Sequence, residues 1–148
     1  MSMVYDWAMV KEQKIILDSS IWISYFIKDD VFHYEAERKV NFILRKKFTI
    51  VVPIIVVYEI VNVIFRKNYH SAVVKRVVDF LDRECVLVEF DFENLFEHML
   101  DLANRLKLRT QDLTILAYCD RIKPIDFLSY DRDLQKAYNL LKKWWKKT

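Results

Sequence analysis

The sequence contains no glycine and only two prolines among its 148 residues. The missing glycine is the sharpest exclusion. A dinucleotide-binding fingerprint, a glycine-rich phosphate loop and a nucleophile elbow each need glycine where backbone approaches a ligand or turns to positive φ. None can be built here in standard form, which argues against dinucleotide, P-loop and α/β-hydrolase chemistry. Cysteine is scarce as well. Cys85 and Cys119 stand alone and match no metal-binding spacing. Long apolar runs are also missing. The stretch 50–65 is shorter than the roughly 20 residues of a spanning helix and is broken by Pro53, Glu59 and Asn62. Met1–Gln13 carries acids and has no apolar signal region, so a reduced, cytoplasmic protein with no membrane partner is expected.

What is present describes a folded chain. Hydrophobic residues make up 53% and charged residues 30%, which excludes disorder and suits one core. Lys and Arg number 24 against 21 Asp and Glu, a net +3 that permits a nucleic-acid partner without demanding one.

Short apolar runs alternate with helical periodicity. Lys14–Leu17, Phe48–Val52, Val86–Phe90 and Ile125–Tyr130 read as strands. Helices are expected over Ile21–Ile27 (capped by Ser or Asp), His33–Lys47, from Pro53 to about Lys67, Ser71–Glu84, Glu93–Leu106, Thr110–Arg121 with Thr110 as cap, and from about Asp131 onward. This alternation predicts an α/β domain: three layers, α/β/α, around a mostly parallel sheet. Residues 14–148 form the single domain, and residues 1–13 look appended to it.

Four acids need explaining. Asp18 and Asp131 follow strands one and four, where open parallel sheets bind ligands. Each also suits a helix N-cap. Glu59 is the only charge in the helical run Ile54–Phe65. A lone carboxylate there is costly unless paired, with Arg66 the nearest candidate, or bound to a cation. Asp112 heads a helix whose inward stripe is Ile115, Leu116 and Cys119, and a first-turn acid also suits the helix dipole. Carboxylates crowded at one sheet edge would repel one another without a cation. With no His/Cys ligand set, an all-oxygen site suits Mg²⁺ or Mn²⁺.

The segments Asp18-Ser19-Ser20-Ile21-Trp22-Ile23, Pro53-Ile54-Ile55-Val56-Val57-Tyr58-Glu59-Ile60, Thr110-Gln111-Asp112-Leu113 and Phe127-Leu128-Ser129-Tyr130-Asp131-Arg132-Asp133-Leu134 resemble, in order, the motifs of the PIN-domain family. The resemblance is closest to VapC-type toxin ribonucleases. It implies a metal-dependent endoribonuclease that leaves 5′-phosphate and 3′-hydroxyl ends, with an antitoxin partner and a homodimer. It also implies Asp18, Glu59, Asp112 and Asp131 as the acidic metal site, Asp133 as an extra carboxylate, and Ser20 and Ser129 as orienting hydroxyls. Two features depart from the family: the glycines often found before the third acid and after the last helix are missing, and no final strand is visible in Asn139–Thr148.

His33, His70 and His98 are scattered and read as solvated helix-surface residues. The tail Lys142-Lys143-Trp144-Trp145-Lys146-Lys147 has two readings. It either grips phosphates and stacks on bases, or it is a cationic helix end whose Trp pair packs on the core. Arg105, Lys107 and Arg109 precede Asp112 and are better placed to meet an RNA backbone. Among rivals, a PIN nuclease of RNA maturation differs from the toxin reading only in role. A phospho-acceptor receiver module would need paired acids after strand one and an acid ending a middle strand, and neither is here. A non-catalytic nucleic-acid or protein binding module is the alternative of a different class.

Overall fold

The computed structural model describes residues 13–147. Apart from Gln13, the segment 1–13, expected to be appended, lies outside the described residues. Four strands, β1 (Lys14–Leu17), β2 (Thr49–Pro53), β3 (Val86–Val88) and β4 (Asp126–Leu128), form one sheet in the order β3-β2-β1-β4. All three pairings are parallel, with Ile16 opposite both Val51 and Phe127, and Val52 opposite Leu87. Parallel strands are covered on both faces, which is why KIIL and TIVVP are nearly all apolar and almost fully buried.

Among the described residues, seven helices connect and flank the strands: α1 (Ser19–Phe26), α2 (His33–Arg45), α3 (Ile54–Arg66), α4 (Ser71–Glu84), α5 (Phe92–Arg105), α6 (Thr110–Ile122) and α7 (Arg132–Trp145). Helix α1 packs on α2 and α3, and α3 on α4. A second group pairs α5 with α6 and α6 with α7. The sheet and both groups close over one core that includes Ile16, Leu17, Trp22, Ile60, Leu116 and Phe127. The helix α3 is more completely used by this core than its composition suggests. Ile60 and Ile64 are buried and Val61 is half-buried, which leaves Tyr58 and Phe65 as its exposed large apolar residues.

The strand order places β1 between neighbours reached in opposite directions. Its carboxyl end, beside that of β4, is therefore the topological switch point where such sheets form a crevice. Asp18 follows β1 directly, and Asp131 comes three residues after the end of β4.

The missing glycine leaves a mark on the backbone. Lys47, Asn68 and Lys123 adopt left-handed φ of 59°, 61° and 53° just after α2, α3 and α6, where glycine is the usual residue. The missing final strand has a substitute too. At the free edge of β4, the Gln135 side chain of α7 donates from Nε2 to Phe127 O and accepts from Ser129 N, both at 2.9 Å. Lys142 Nζ donates to Ile125 O at 2.6 Å, and Phe127 N donates to Asp126 Oδ1. Side chains thus make the bonds a fifth strand would make, and they blunt an exposed edge.

Candidate active site

The site is built from the strand ends inward. Asp18 occupies the N-cap position of α1, but its side chain makes no capping bond. The helix opens at Ser19, two residues before the expected Ile21, with Asp18 O accepting from Ile21 N and Trp22 N. Asp18 Oδ2 accepts from Ser20 Oγ at 3.0 Å and from Ser129 Oγ at 2.8 Å. Both serines also accept a backbone N–H from the β4–α7 loop: Tyr130 N to Ser20 Oγ and Asp131 N to Ser129 Oγ, each at 3.0 Å. Two hydroxyls therefore lock the end of β1 to the loop after β4.

Asp131 caps α7, with Oδ1 accepting from Asp133 N and Leu134 N. Glu59, half-buried on α3, accepts from Ser19 Oγ at Oε2 over 3.0 Å. The expected alternative partner, Arg66, forms no ion pair with it among the described residues. Asp112 sits in the first turn of α6, where Arg109 Nε reaches its Oδ2 at 3.5 Å. Arg109, not Thr110, takes the N-cap position, and Thr110 is already helical.

The four carboxylates share one electrostatic neighbourhood. Burial pushes the Glu59 carboxyl above its usual range. The Ser19 bond opposes this, the charges of Asp18 and Asp112 add to it, and Arg109 counters. Burial likewise raises Asp112. Arg109 opposes this by charge and hydrogen bond, and Asp131 and Asp18 push it further up. Each acid is anchored through one oxygen only. Among the described residues, Asp18 Oδ1, Glu59 Oε1, Asp112 Oδ1 and Asp131 Oδ2 carry no hydrogen bond or ion pair.

That pattern suits a hard cation. No three His, Cys, Asp or Glu side chains among the described residues form a ready-made metal cage. Mg²⁺ does not require one, since it keeps several waters and takes one or two carboxylates. Oxygen-only donors, each oriented through its second oxygen, fit such an ion.

Other candidates fall outside this cluster. Asp133 is exposed, and it touches Asp131 through its backbone N–H. Arg105 pairs with Asp101 at 3.2 Å and lies 4.7 Å from the Trp144 ring centroid. Lys107 is exposed. In the tail, Trp144 and Trp145 pack against the core, and Trp145 Nε1 donates to Asp120 Oδ1 at 2.7 Å. The histidines are more engaged than a solvated surface implies. His33 is buried with Nδ1 2.8 Å from Ser24 O, His70 caps α4, and His98 Nδ1 lies 2.6 Å from Asp120 Oδ2. Cys85 and Cys119 are free and buried, and burial raises both thiols, Cys85 to about 12. Such thiols are unreactive.

Sequence reasoning missed Ser19 and Gln135. Ser19 sits inside the first acidic motif beside Ser20, but its partner Glu59 lies 40 positions away. Gln135 carried no signal, because its partners lie on another element.

The PIN domain family model matches residues 15–140. The chain belongs to the PIN domain family. Two solved PIN-fold structures are similar to it. One is Mycobacterium tuberculosis VapC20, described as a sarcin–ricin loop cleaving toxin. It is 18% identical with a TM-score of 0.67, over 83% of this chain and 94% of that one. The other is VapBC2 from Rickettsia felis, bound to a DNA fragment from their promoter, at 13% identity and a TM-score of 0.65, covering 83% and 92%. No curated protein sequence matches the chain. At these identities the structural likeness establishes the PIN fold, with its four-stranded parallel sheet flanked by helices. No helix among the described residues is long and apolar enough to cross a membrane.

Proposed function

We propose that this PIN domain, residues 14–148 with 1–13 appended, is a Mg²⁺- or Mn²⁺-dependent endoribonuclease, the toxin of a toxin–antitoxin pair. The observation that carries the reading is the set of four half-anchored carboxylates, Asp18, Glu59, Asp112 and Asp131, around the switch point of the sheet. A bound Mg²⁺ or Mn²⁺ supplies positive charge for the phosphoryl oxygens and lowers the pKa of water. The chain's own residues hold the geometry. Ser20 and Ser129 orient Asp18, Ser19 orients Glu59, and the α7 cap holds Asp131 through Oδ1. Asp133, exposed two residues on from Asp131, adds a further negative charge. Arg109, 78% exposed beside Asp112, is placed to meet the RNA backbone, with Lys107 alongside. Arg105, already paired, contributes less. Water attacks phosphorus in line, the P–O3′ bond breaks, and the products carry 5′-phosphate and 3′-hydroxyl ends.

The toxin assignment rests on the likeness to VapC20 and VapBC2, which also suggests an antitoxin partner, and the lone cysteines suit work in the cytoplasm. A homodimer through Tyr58 and Phe65, both exposed on α3, belongs to the same reading. A PIN nuclease of RNA maturation would use the same chemistry on another RNA.

Incubating purified full-length protein with a panel of structured RNAs tests this, in Mg²⁺, in Mn²⁺ and in chelator. Metal-dependent cleavage is expected, lost in Glu59→Gln and Asp18→Asn while circular dichroism stays unchanged. Cleavage that survives chelator, or near-full activity in either variant, would remove the metal-site reading.

A further inference from the structure

Helix α2 turns a cationic face to solvent. Arg38, Phe42, Arg45 and Lys46 are all exposed and recur at helical spacing, so they share one side, with Lys47 just past the helix end. Both acids of α2 are engaged elsewhere. Glu35 pairs with Lys39 at 2.8 Å, and Glu37 Oε2 lies 3.5 Å from His33 Nε2. Among the described residues, the side chains of Arg38, Arg45, Lys46 and Lys47 make no hydrogen bond or ion pair. Four neighbouring cations therefore stand uncompensated.

The helix dipole accounts for Arg45 and Lys46 at the carboxyl end. It does not account for Arg38, two turns earlier. A protein partner fits this face poorly, since the centre of a protein interface is apolar and poor in lysine. From Arg38 to Lys46 the one exposed large apolar side chain is Phe42, and Lys46 Nζ already sits 5.5 Å from its ring centroid. Charge complementarity thus favours a polyanion with regularly spaced phosphates.

The fold sets this face beside the site but not in it. Phe32, the N-cap of α2, stacks on Tyr130 with ring centroids 4.7 Å apart, so the head of α2 lies against the β4–α7 loop that carries Asp131. From there α2 runs back toward the start of β2, at the amino edge of the sheet. At 1.5 Å per residue, Arg38 lies about 9 Å and Lys46 about 21 Å along the axis from Phe32. Cations so placed meet backbone some nucleotides away from the reacting phosphate.

We infer that the outer face of α2, carrying Arg38, Arg45, Lys46 and Lys47, holds the phosphate backbone of RNA flanking the cleaved bond. The inference rests on the ribonuclease reading and makes the substrate an RNA that extends well beyond that bond.

The test is the anisotropy of a labelled RNA hairpin with full-length protein in Ca²⁺, from about 50 to 200 mM NaCl, with the hairpin checked on a gel for integrity. Arg38→Gln, Arg45→Gln and Lys46→Gln combined should weaken binding about tenfold or more, and should lower the slope of log affinity against log salt by about 2 to 3. Arg38→Lys with Arg45→Lys should keep the wild-type slope. So should Arg66→Gln, Lys67→Gln and Lys75→Gln combined, which remove the same charge from exposed positions on and just after α3 and on α4. All three proteins should melt close to wild type. A slope unchanged by the α2 substitutions, or lowered equally by the control, overturns the α2 face and leaves the ribonuclease reading standing. Polyglutamate that displaces the hairpin as well as an equal charge of unlabelled RNA overturns the assignment to RNA and makes the face a site for an acidic protein. Wild-type protein that binds no hairpin overturns both the α2 face and the ribonuclease reading.

Discussion

Ser129 Oγ donates to Asp18 Oδ2 over 2.8 Å, joining side chains 111 positions apart. The same oxygen accepts Asp131 N–H, so one hydroxyl ties both strand-end acids together. Ser129→Ala removes the donor to Asp18 and leaves the Asp131 amide without its acceptor. A buried hydrogen bond lost in this way costs about 1–3 kcal/mol. Cleavage rates should fall while metal dependence persists, and Ser129→Thr should recover most of the activity. An alanine variant as active as wild type would make the contact incidental to catalysis.

Glu59 gives a pH signature. Its carboxyl is raised, first by burial and then by Asp18 and Asp112, with Ser19 and Arg109 opposing. The folded state therefore holds this proton more tightly than the unfolded chain. Stability from this group is full below the ordinary glutamate pKa and is lost as pH rises through the folded value. In chelator, Glu59→Gln should then melt above wild type at neutral pH, with the gap closing below the usual glutamate range. Chemical denaturation across pH 3 to 8 would measure it. A gap that is constant with pH contradicts the raised pKa.

Gln135 stands in for a strand. Gln135→Ala strips partners from Phe127 O and Ser129 N. The expected loss is about 1–3 kcal/mol in urea unfolding, with a rise in self-association as the β4 edge opens. Gln135→Glu, once ionised, keeps the acceptor but not the donor, so above the glutamate pKa it should fall between alanine and wild type. Unchanged unfolding midpoints would show that the edge does not depend on this amide.

The chain without glycine pays at its helix ends. Lys47 holds φ 59° on an exposed site after α2. Lys47→Gly should raise stability by about 1 kcal/mol, since a left-handed residue with a Cβ carries a penalty of that order. A fall in the melting temperature would mean that glycine's extra unfolded-state entropy outweighs the relief.

The sheet was legible because buried parallel strands announce themselves as uninterrupted apolar runs. Lys14–Leu17 and Ser71–Glu84 fall where periodicity placed them. The acids were legible as candidates because Glu59 is alone among apolar neighbours and Asp18 ends a strand. Their anchoring was not. Ser19, Ser129 and Gln135 act on partners far along the chain, and local pattern contains no trace of such contacts. His33 shows the same limit: it looks solvated beside Tyr34 and Glu35, yet α1 closes over it. The substitution of Gln135 for a final strand could be suspected from the missing strand, but only the fold says which side chain takes the place.

The central claim is that the four acids are a cation site and not an ion network. Thermal melts of wild type and Asp112→Asn, in Mn²⁺ and in chelator, test it most directly. In chelator the variant should melt at or above wild type, because one of the mutually repelling charges is gone and the Arg109 partner it loses is mostly solvated. Mn²⁺ should reverse the order. A ligand bound only by the folded state adds about 2.7 kcal/mol at a hundredfold excess over Kd, and wild type should gain more of this than the variant. If the variant is less stable in both conditions and Mn²⁺ shifts both proteins equally, Asp112 serves Arg109 and the helix dipole, and the metal-site account is contradicted.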